Sequence, residues 1–539
     1  MSSTGWFHVR SWVVAWLLGG GVFFLVTLTS SNYGVTWDEP AYFHASDLHI
    51  KWIADFSTDL FDGQISRSLD DKRIQAAWHW DPYHVPHPPL SRIVSGVTEA
   101  ALAPALDKFV AYRLGPALFF ALLTAVMYLW MSEIFGWVAG LFSAASLLLI
   151  PNLFGFAHIA VTDMPLASLW LVTSYCFWKG LESWKWSLAL GIVWGLALAT
   201  KFPAFLIVVP LLIWAHIFYR RCYTNNLFCM IFIAPVVMVA TQPYLWHQTA
   251  LRVLQFFYEG LSRGYRTDAN FPIYFLHRLS PTSELPRYYP FFLTAVTTPE
   301  TILGLALIGI VATVRNRPER PVLMLFLLNV IFILVLGLLP GAVLHDGMRQ
   351  LLAVYPFLVA LATAGFCLLA EFLTERAGRL RALEAIDNFK AKLAAALAVL
   401  LLFPPLVDLA LYHPFELSYY NRFVGGLRGA YDRGLELTYF MEAITPEFLG
   451  YLNRTLPPNA AVNGLFANFM LEYHQKEGRL RPDIQITAKD EFDYAVVLNR
   501  RSVVSVLPRD RVKFMKQKPL ASVALAGVPL VMLYKRSAD

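Results

Sequence analysis

Two adjacent carboxylates follow the first apolar run of this sequence. Asp38 and Glu39 stand between Trp37 and Pro40. Neighbouring acids at a membrane surface repel each other and lose hydration, so a cation, a metal ion or a proton-transfer role would account for them. Asp38, or Glu39, is therefore a candidate catalytic base. The structural alternative is a helix start, since Asp, Glu and Pro are all favoured there.

A second acid and a proline-flanked histidine are further candidates. Asp163 follows Thr162 at the start of an apolar segment, and an acid at membrane depth is a functional-site candidate by default. Capping of that helix by Thr162 or Asp163 is the alternative. His87 lies within residues 85–92, where three prolines fix an extended backbone. A rigid turn into the next helix is the alternative there.

Two cations complete the candidate set. Lys201 stands between two apolar segments, and Arg349 ends a short polar stretch that begins with His345 and Asp346. Lysine and arginine pair strongly with phosphate oxygens, so both are candidates to hold a lipid-linked phosphate, with His345 beside them. For Lys201 the alternative is a side chain that only reaches out of the bilayer toward water.

The composition places these residues in a membrane protein. Of the 539 residues, 57% are hydrophobic and only 15% are charged, whereas about a quarter are charged in soluble domains. A spanning helix needs about 20 apolar residues. Reading with this length predicts an all-α polytopic membrane bundle of about eleven transmembrane helices. The predicted spans are residues 12–29, 112–131, 137–151, 164–178, 186–200, 202–219, 227–243, 301–314, 321–340, 351–371 and 393–411.

Basic residues orient the bundle. With the N-terminus in the cytoplasm, eleven spans place most basic loop residues inside, as the positive-inside rule requires. These residues are Arg10, Lys179, Lys185, Arg220, Arg221, Arg315, Arg317, Arg320, Arg376, Arg379, Arg381, Lys390 and Lys392. Only Lys201 and Arg349 fall in short outer loops. Residues 186–219 would fit one kinked helix as well, but that would move Arg220, Arg221 and the loop with Arg315, Arg317 and Arg320 outside.

Three soluble parts then lie outside the cytoplasm. Outer loops 31–111 and 244–300 belong to a transmembrane domain of residues 1–411, and residues 412–539 form an extracytoplasmic C-terminal domain. The first loop opens with an amphipathic segment, residues 41–60, which we expect at the membrane interface among membrane lipids.

The pattern of residues 412–539 predicts the fold of the C-terminal domain, and the net charge argues against one class of partner. Strand-like runs at residues 461–466, 494–498 and 530–534 alternate with helical patterns and predict a small α+β domain. The net charge is only +6, and the basic residues fit a topology signal better than a nucleic-acid footprint, so we expect no nucleic-acid partner.

Taken in order, the motifs resemble those of a known family. A single span, then Asp38-Glu39, then a His-Pro-Pro-Leu stretch from His87, then Asp163, Lys201 and the stretch ending at Arg349 are similar to GT-C fold membrane glycosyltransferases. The nearest group is the bacterial protein O-mannosyltransferase-like proteins (glycosyltransferase family 39), which include the aminoarabinose transferase of lipid A. The tail run at residues 415–426 also looks like a stretch in uncharacterised bacterial members.

This resemblance implies a transferase that takes a sugar from a polyprenyl-phosphate donor in the bacterial inner (plasma) membrane. The first-loop acid of the family corresponds to Asp38 or Glu39, its second acid to Asp163, and its phosphate contact to Arg349 or, more weakly, Lys201. In the aminoarabinose transferases an acid precedes the proline of the second first-loop motif. Here His87 holds that place, so a divalent metal cation bound by His87 and Asp163 is a hypothesis with an altered ligand set.

The expected reaction is a single displacement that inverts the anomeric carbon. Asp38 takes a proton from an acceptor hydroxyl or amine, and Arg349, Lys201 or a divalent cation neutralises the departing phosphate. The acceptor would be a lipid, a glycan or a protein. The alternatives are a lipid-linked sugar flippase or transporter, a polysaccharide polymerase or ligase, and a non-catalytic assembly protein. The last alternative predicts that Asp38 and Asp163 lie far apart.

Overall fold

The structure, a computed structural model, describes residues 3–79, 87–220, 222–262, 271–314, 318–339, 341–377, 389–508 and 512–536. Side chains are described within these ranges except at residues 3–10 and 377. Several residues used above lie outside the described part. They are the side chain of Arg10, the predicted cytoplasmic residues Arg221, Arg315, Arg317, Arg379 and Arg381, and Val85 and Pro86 of the proline-rich stretch.

Helices dominate the chain up to Tyr412. Its first half contains α1 (Ser3–Thr29), α2 (Glu39–Phe61), α3 (Asp71–Trp78), α4 (Leu90–Leu102), α5 (Lys108–Phe135), α6 (Trp137–Leu148), α7 (Pro151–Phe156), α8 (Asp163–Gly180), α9 (Trp184–Leu198), α10 (Val208–Phe218) and α11 (Thr224–Ala240). The remainder contains α12 (Thr249–Ser262), a hairpin of β1 (Ile273–Phe275) and β2 (Arg278–Ser280), α13 (Tyr289–Thr297), α14 (Glu300–Val314), α15 (Arg320–Leu336), α16 (Val354–Ala377) and α17 (Phe389–Tyr412).

Each predicted span overlaps a helix of the structure. Among the described residues, four helices are long and apolar enough to cross a membrane, at Ser11–Asn32, Lys108–Phe135, Val354–Arg376 and Phe389–Tyr412. Six shorter apolar helices accompany them. The mostly helical membrane architecture is therefore confirmed, whereas the number of eleven spans stays a prediction.

The segment from residue 186 to 219 consists of separate elements. α9 ends at Leu198, and Lys201 has an extended backbone with φ of −158° and ψ of 144°. A 3-10 helix at Phe202–Ile207 then leads into α10. The break agrees with the charge pattern of the sequence, and it places Lys201 in a connection between helices.

Close helix contacts fix the frame of the bundle. A Cβ atom at Gly309 of α14 would lie 1.9 Å from the carbonyl oxygen of Leu361 in α16, and one at Gly365 of α16 would lie 1.9 Å from that of Leu305. Membrane helices approach this closely where small residues line the contact. The helix that follows Arg349 is therefore held tightly against α14.

The C-terminal residues form a domain with helices and a mixed sheet. The helices are α18 (Gly426–Asp432), α19 (Pro446–Thr455), α20 (Asn468–Lys476) and α21 (Arg501–Val504), and the strands are β3 (Ala461–Asn463), β4 (Gln485–Ile486), β5 (Tyr494–Leu498), β6 (Ala521–Leu525) and β7 (Val528–Lys535). The five strands lie in the order β4-β3-β5-β7-β6. β3 is parallel to β4 and β5, whereas β7 is antiparallel to β5 and β6. The predicted strands and the sheet-containing tail are confirmed.

The predicted amphipathic segment of the first loop is α2, which buries one face. Tyr42, Phe43, His49 and Trp52 lie on that buried face, and α2 packs on α4, which in turn packs on α5. The apolar side of α2 is thus used for packing against the protein, and this packing carries the residues at its start into the bundle.

Candidate active site

Arg349 is the centre of a cluster of carboxylates from three separate parts of the chain. Its Nη2 donates to Oδ2 of Asp38, its Nε to Oδ2 of Asp163 at 3.1 Å, and its Nη1 to Oδ2 of Asp346 at 3.2 Å. The Phe440 ring lies 4.5 Å from the guanidinium carbon. Burial alone would lower the pKa of Arg349, but the three carboxylates raise it, so the guanidinium keeps its charge.

Lys201 extends this cluster on the other side of Asp163. Its Nζ donates to Oδ1 of Asp163 at 2.6 Å and to Oε1 of Gln350 at 3.0 Å. Each oxygen of Asp163 therefore binds a different cation, Lys201 or Arg349. A buried carboxylate in this position holds the two cations side by side and at fixed separation. The alternative of a lysine that reaches out toward water is wrong, because Lys201 is buried.

The acids bind cations although each stands at a helix start. Asp38 occupies the N-cap position of α2 and Thr162 that of α8, yet neither side chain makes a capping hydrogen bond. Asp163, the first residue of α8, binds Lys201 and Arg349. The partial positive charge of a helix N-terminus also favours an acid there. Capping alone thus does not account for Asp38 or Asp163.

A left-handed turn brings Asp346 and Arg349 together. Asp346 has φ of 65° and ψ of 42°, and Gly347 follows with φ of 64°. A side chain at residue 347 would be strained there, since only glycine adopts this backbone freely. For Asp346 the left-handed conformation has a cost, and such costs are concentrated at functional sites. Burial alone would raise the pKa of Asp346, but His345, Arg500 and Arg349 lower it, so the carboxylate is charged.

Glu39 points away from this cluster. Its two oxygens accept from Nε and Nη2 of Arg113, each at 2.8 Å, and from the backbone N–H groups of Ala160 at 3.1 Å and Thr36 at 2.8 Å. Its side chain is 0% exposed and that of Arg113 is 2% exposed. Arg113 also donates to three carbonyl oxygens of residues 30–34. We therefore correct the catalytic prediction for Glu39, because no substrate atom can reach a carboxylate so enclosed.

Replacing Glu39 by glutamine should lower stability strongly. Loss of one charge leaves Arg113 buried without a counter-charge, which typically costs about 3–5 kcal/mol. Thermal or denaturant unfolding of the detergent-solubilised protein measures the effect. Glu472→Gln, the same change at an exposed position of α20, should shift stability by no more than about 0.5 kcal/mol. A Glu39→Gln protein of normal stability without transferase activity would contradict the structural role.

A cavity of about 280 Å³ adjoins the cluster. Asp163, Lys201, Arg349, Gln350 and His87 line its polar part. The rest of its wall is mainly apolar and comes from α8, the 3-10 helix before α10, α12, α15 and the segment before Arg349. The apolar lining includes Leu166, Trp170, Phe202, Leu206, Phe256, Leu261, Ile333, Leu336 and Leu344. The cavity can accommodate a ligand with an anionic end and an apolar remainder.

The two predicted histidines lie near the cluster in different ways. His87 lines the cavity, and its backbone carbonyl accepts a hydrogen bond from Arg92. His345 has its Nε2 3.5 Å from Oδ2 of Asp346 and does not belong to the described cavity wall. The proposed phosphate contact of His345 therefore has no support from its position, since the imidazole lies beside the carboxylate of Asp346 and the ring of Phe271.

The predicted metal ligands do not form a metal site. Both oxygens of Asp163 are engaged by Lys201 and Arg349. Within the described ranges, no group of three or more His, Cys, Asp or Glu side chains is placed to hold a metal ion. Two cations beside Asp163 would also repel a third. The donor set of His87 and Asp163 thus does not fit a divalent cation.

Several residues of the site were missed by sequence reasoning. Arg113 neutralises Glu39 from a helix 74 positions further along the chain, and Arg500 binds Asp346 from the C-terminal domain. Tyr42, one helical turn after Asp38, is buried, and its hydroxyl has no hydrogen-bond partner among the described residues. Burial, together with the charge of Asp38, raises the pKa of Tyr42. Of these residues, only Tyr42 could have been found from the sequence, because it is four positions after Asp38 and therefore lies on the same face of the helix.

The geometry decides one of the alternatives. Asp38 and Asp163 bind the same guanidinium, so the separation expected for a non-catalytic assembly protein is wrong. Asp38, Asp163 and Lys201 also lie at helix starts or in a connection, and Arg349 lies in a short 3-10 helix, so none of the four is in the middle of a long helix.

Comparison with known proteins supports this architecture. The family model of dolichyl-phosphate-mannose-protein mannosyltransferases matches residues 95–247, a segment that contains Asp163 and Lys201. A comparison with curated protein sequences gave no match.

Similarity to solved structures extends over the whole chain. A crystal structure of ArnT from Cupriavidus metallidurans in the apo state has a TM-score of 0.50 and 16% sequence identity, and covers 99% of this chain and 98% of its own. A crystal structure of the same protein bound to undecaprenyl phosphate covers the same shares with a TM-score of 0.49 and 17% identity. The apo structure shows a shared fold. This chain therefore has the GT-C fold, and the family match to its middle part supports a GT-C fold membrane glycosyltransferase.

Proposed function

We propose that this protein is an inverting glycosyltransferase that moves a sugar from a polyprenyl-phosphate donor to an acceptor hydroxyl or amine at the outer face of the membrane. The observation that carries the proposal is the cluster of Asp38, Arg349, Asp163 and Lys201 beside an otherwise apolar cavity. A prenyl phosphate has the same division, an anionic head and an apolar chain. The residues that would bind each part are therefore adjacent.

In this proposal Lys201 and Arg349 bind the donor phosphate. Both are cationic, both line the cavity, and Asp163 holds them together from the side. Phosphate oxygens pair well with the fork of an arginine and with the point charge of a lysine. Asp163 acts as a positioning residue. Stabilisation of the departing anion by preorganised cations is usually a large term in such catalysis.

Asp38 is the carboxylate best placed to act as the base. The side chains of the three carboxylates around Arg349 are exposed to 18% for Asp38, 10% for Asp346 and 0% for Asp163. Oδ2 of Asp38 binds Arg349, whereas its Oδ1 accepts no hydrogen bond from the described residues. Oδ1 can therefore take the proton from the hydroxyl or amine that accepts the sugar, while Oδ2 stays bound to Arg349, which binds the phosphate.

The reaction then balances in one step. The acceptor oxygen or nitrogen forms a bond to the anomeric carbon while the bond from that carbon to the phosphate oxygen breaks. The bonding electrons stay on the phosphate next to Arg349 and Lys201, and the acceptor proton passes to Asp38. The products are polyprenyl phosphate and the glycosylated acceptor, with the anomeric centre inverted. The phosphate leaves as a stable anion, so no strong acid is needed.

The test is donor turnover by the purified protein. We would incubate it with polyprenyl phosphates that carry a hexose, a pentose or an aminopentose, in the presence of a membrane extract as acceptor source, and measure released polyprenyl phosphate. Release from at least one of these donors, lost in Asp38→Asn, is the expected result. Sugar transfer from a nucleotide sugar, with none of these polyprenyl-phosphate donors consumed, would contradict the proposal, as would movement of the intact donor across a vesicle membrane.

The metal requirement stays a prediction with its own measurement. No step above uses a metal, because Lys201 and Arg349 supply the positive charge at the phosphate. Donor turnover with a chelator, and with added divalent cations, shows whether a cation is needed as well. The flippase and polymerase alternatives separate in the same experiment, since a flippase leaves the donor intact and a polymerase lengthens a glycan.

A further inference from the structure

Asp346 connects the cluster to the C-terminal domain. Its Oδ2 accepts from Nη1 of Arg349 at 3.2 Å, and its Oδ1 accepts from Nη2 of Arg500 at 3.0 Å. Each oxygen thus binds one arginine, and the carboxylate lies between them. Asp346 and Arg500 are both largely buried, at 10% and 12% side-chain exposure, so the pair is little screened by water.

Arg500 is held rigidly by its own domain. It follows β5 by two residues, and its Nη1 donates to the carbonyl oxygen of Tyr439 at 2.7 Å while its Nε donates to Oγ of Ser502 at 3.2 Å. The backbone N–H groups of Arg501 and Ser502 donate to Glu436 at 2.6 and 2.9 Å. The guanidinium is therefore preorganised, and little side-chain entropy remains to be lost when it binds Asp346.

The charge balance depends on this contact. Asp38, Asp163 and Asp346 face Arg349, Lys201 and Arg500, so three acids meet three cations. Without Arg500, the charge of Asp346 would be balanced chiefly by Arg349 and by His345. Arg349 would then be drawn toward Asp346, and less of its positive charge would be available to a phosphate in the cavity.

We propose that Arg500 is a positioning residue for the transfer reaction. It occupies one oxygen of Asp346 and thereby keeps Arg349 directed at the donor phosphate. This inference rests on the proposed function. Its consequence is that the C-terminal domain belongs to the active site and is not an appended module.

A second contact supports the same relation between the domain and the site. Phe469 follows β3, the strand next to β5, and its ring lies edge-on to Trp37 at 4.7 Å. Trp37 is the residue before Asp38, and its backbone N–H donates to Phe440 at 2.9 Å. The segments after the parallel strands β3 and β5 thus contact Trp37, which precedes Asp38, and Asp346, which binds Arg349.

The test is a double-mutant cycle between residues 500 and 346. Arg500→Gln should lower the rate of polyprenyl phosphate release and the affinity for undecaprenyl phosphate by about tenfold, a coupling typical of residues in direct contact. Adding Asp346→Asn should restore most of the rate and most of the affinity, because the neutral amide no longer draws Arg349 away from the phosphate. Arg500→Lys keeps the charge and should stay within about threefold of wild type.

Arg501→Gln is the matched control. Arg501 adjoins Arg500 in the sequence, but its side chain contacts Tyr431 and Tyr274 and, among the described residues, none of the cluster. It should change the stability of the domain and leave the affinity for undecaprenyl phosphate unchanged. If the role of Arg500 were purely structural, Arg500→Gln would behave like Arg501→Gln. Adding Asp346→Asn would then cause a further loss instead of restoring activity and affinity.

The outcomes separate the two proposals. Wild-type activity of Arg500→Gln, or additive losses in the double variant, overturns the role of Arg500 and leaves the proposed function intact. A wild-type protein that releases no polyprenyl phosphate from any donor overturns the proposed function. If such a protein still binds undecaprenyl phosphate, the coupling measured by affinity decides whether Arg500 positions Arg349.

Discussion

Replacing Asp38 by asparagine is expected to reduce sugar transfer by about a hundredfold or more, the usual loss when a catalytic base is removed. The asparagine amide cannot take the proton from the hydroxyl or amine that receives the sugar. It can still accept a hydrogen bond from Arg349, which also keeps Asp163 and Asp346 as partners. Stability and membrane insertion should therefore be close to those of the wild type. Release of polyprenyl phosphate per molecule of folded protein measures the effect.

Asp55→Asn is the control for this variant. Asp55 lies on the same helix, α2, and is exposed, so the chemical change is identical and the site is untouched. We expect full activity from it. Normal turnover by Asp38→Asn, with the variant as stable as Asp55→Asn, would exclude Asp38 as the base.

Replacing Arg349 by lysine is expected to reduce turnover by about 10²–10³-fold, as for other groups that stabilise a developing anion. The arginine uses Nε, Nη1 and Nη2 to bind three carboxylates at once. A lysine ammonium is a compact charge and does not reproduce a planar fork. The phosphate would then be held in a different place, so we expect a higher KM for the donor as well as a lower kcat.

Alanine would be a poorer test at this position. It would leave three acids with Lys201 and Arg500 as their main counter-charges, and removal of one partner from a buried ion pair typically costs about 3–5 kcal/mol of stability. Arg422→Lys is the matched control, since Arg422 also binds two carboxylates, Asp408 and Glu300, but is exposed. Activity of Arg349→Lys equal to that of Arg422→Lys would contradict a role in phosphate binding.

Short polar motifs between apolar runs made much of the site predictable. Asp38, Asp163, Lys201 and Arg349 were each conspicuous because a charge beside a membrane helix has a high cost unless it is used. Their convergence was expected from the resemblance and from their shared side of the membrane. The structure brings all four into one cluster.

The assignment of each acid could not be made from the sequence. Asp38 and Glu39 are neighbours, but successive side chains on a helix start point in directions about 100° apart. One therefore meets Arg349 and the other meets Arg113. Both arginines are distant in the sequence, so no local pattern distinguishes the catalytic candidate from the structural one.

The predicted metal ligands, His87 and Asp163, depend on distant residues in the same way. His87 and Asp163 do line one cavity. Whether Asp163 could serve a metal depended on its other neighbours, and Lys201 and Arg349 occupy both of its oxygens. The spacing of ligands along a chain does not show which competing cations the fold will bring to them.

The sequence by itself determined the class of molecule. Three properties of the sequence define a helical membrane bundle with a sheet-containing C-terminal domain. They are the apolar runs, the scarcity of charge, and the strand-like runs that alternate with helical patterns in the tail. Tertiary structure alone decided which charges are paired, because pairing depends on distances of a few ångströms between residues as far apart as Asp38 and Arg349, or Asp346 and Arg500. At such range a buried ion either gains a partner or bears the full cost of lost hydration.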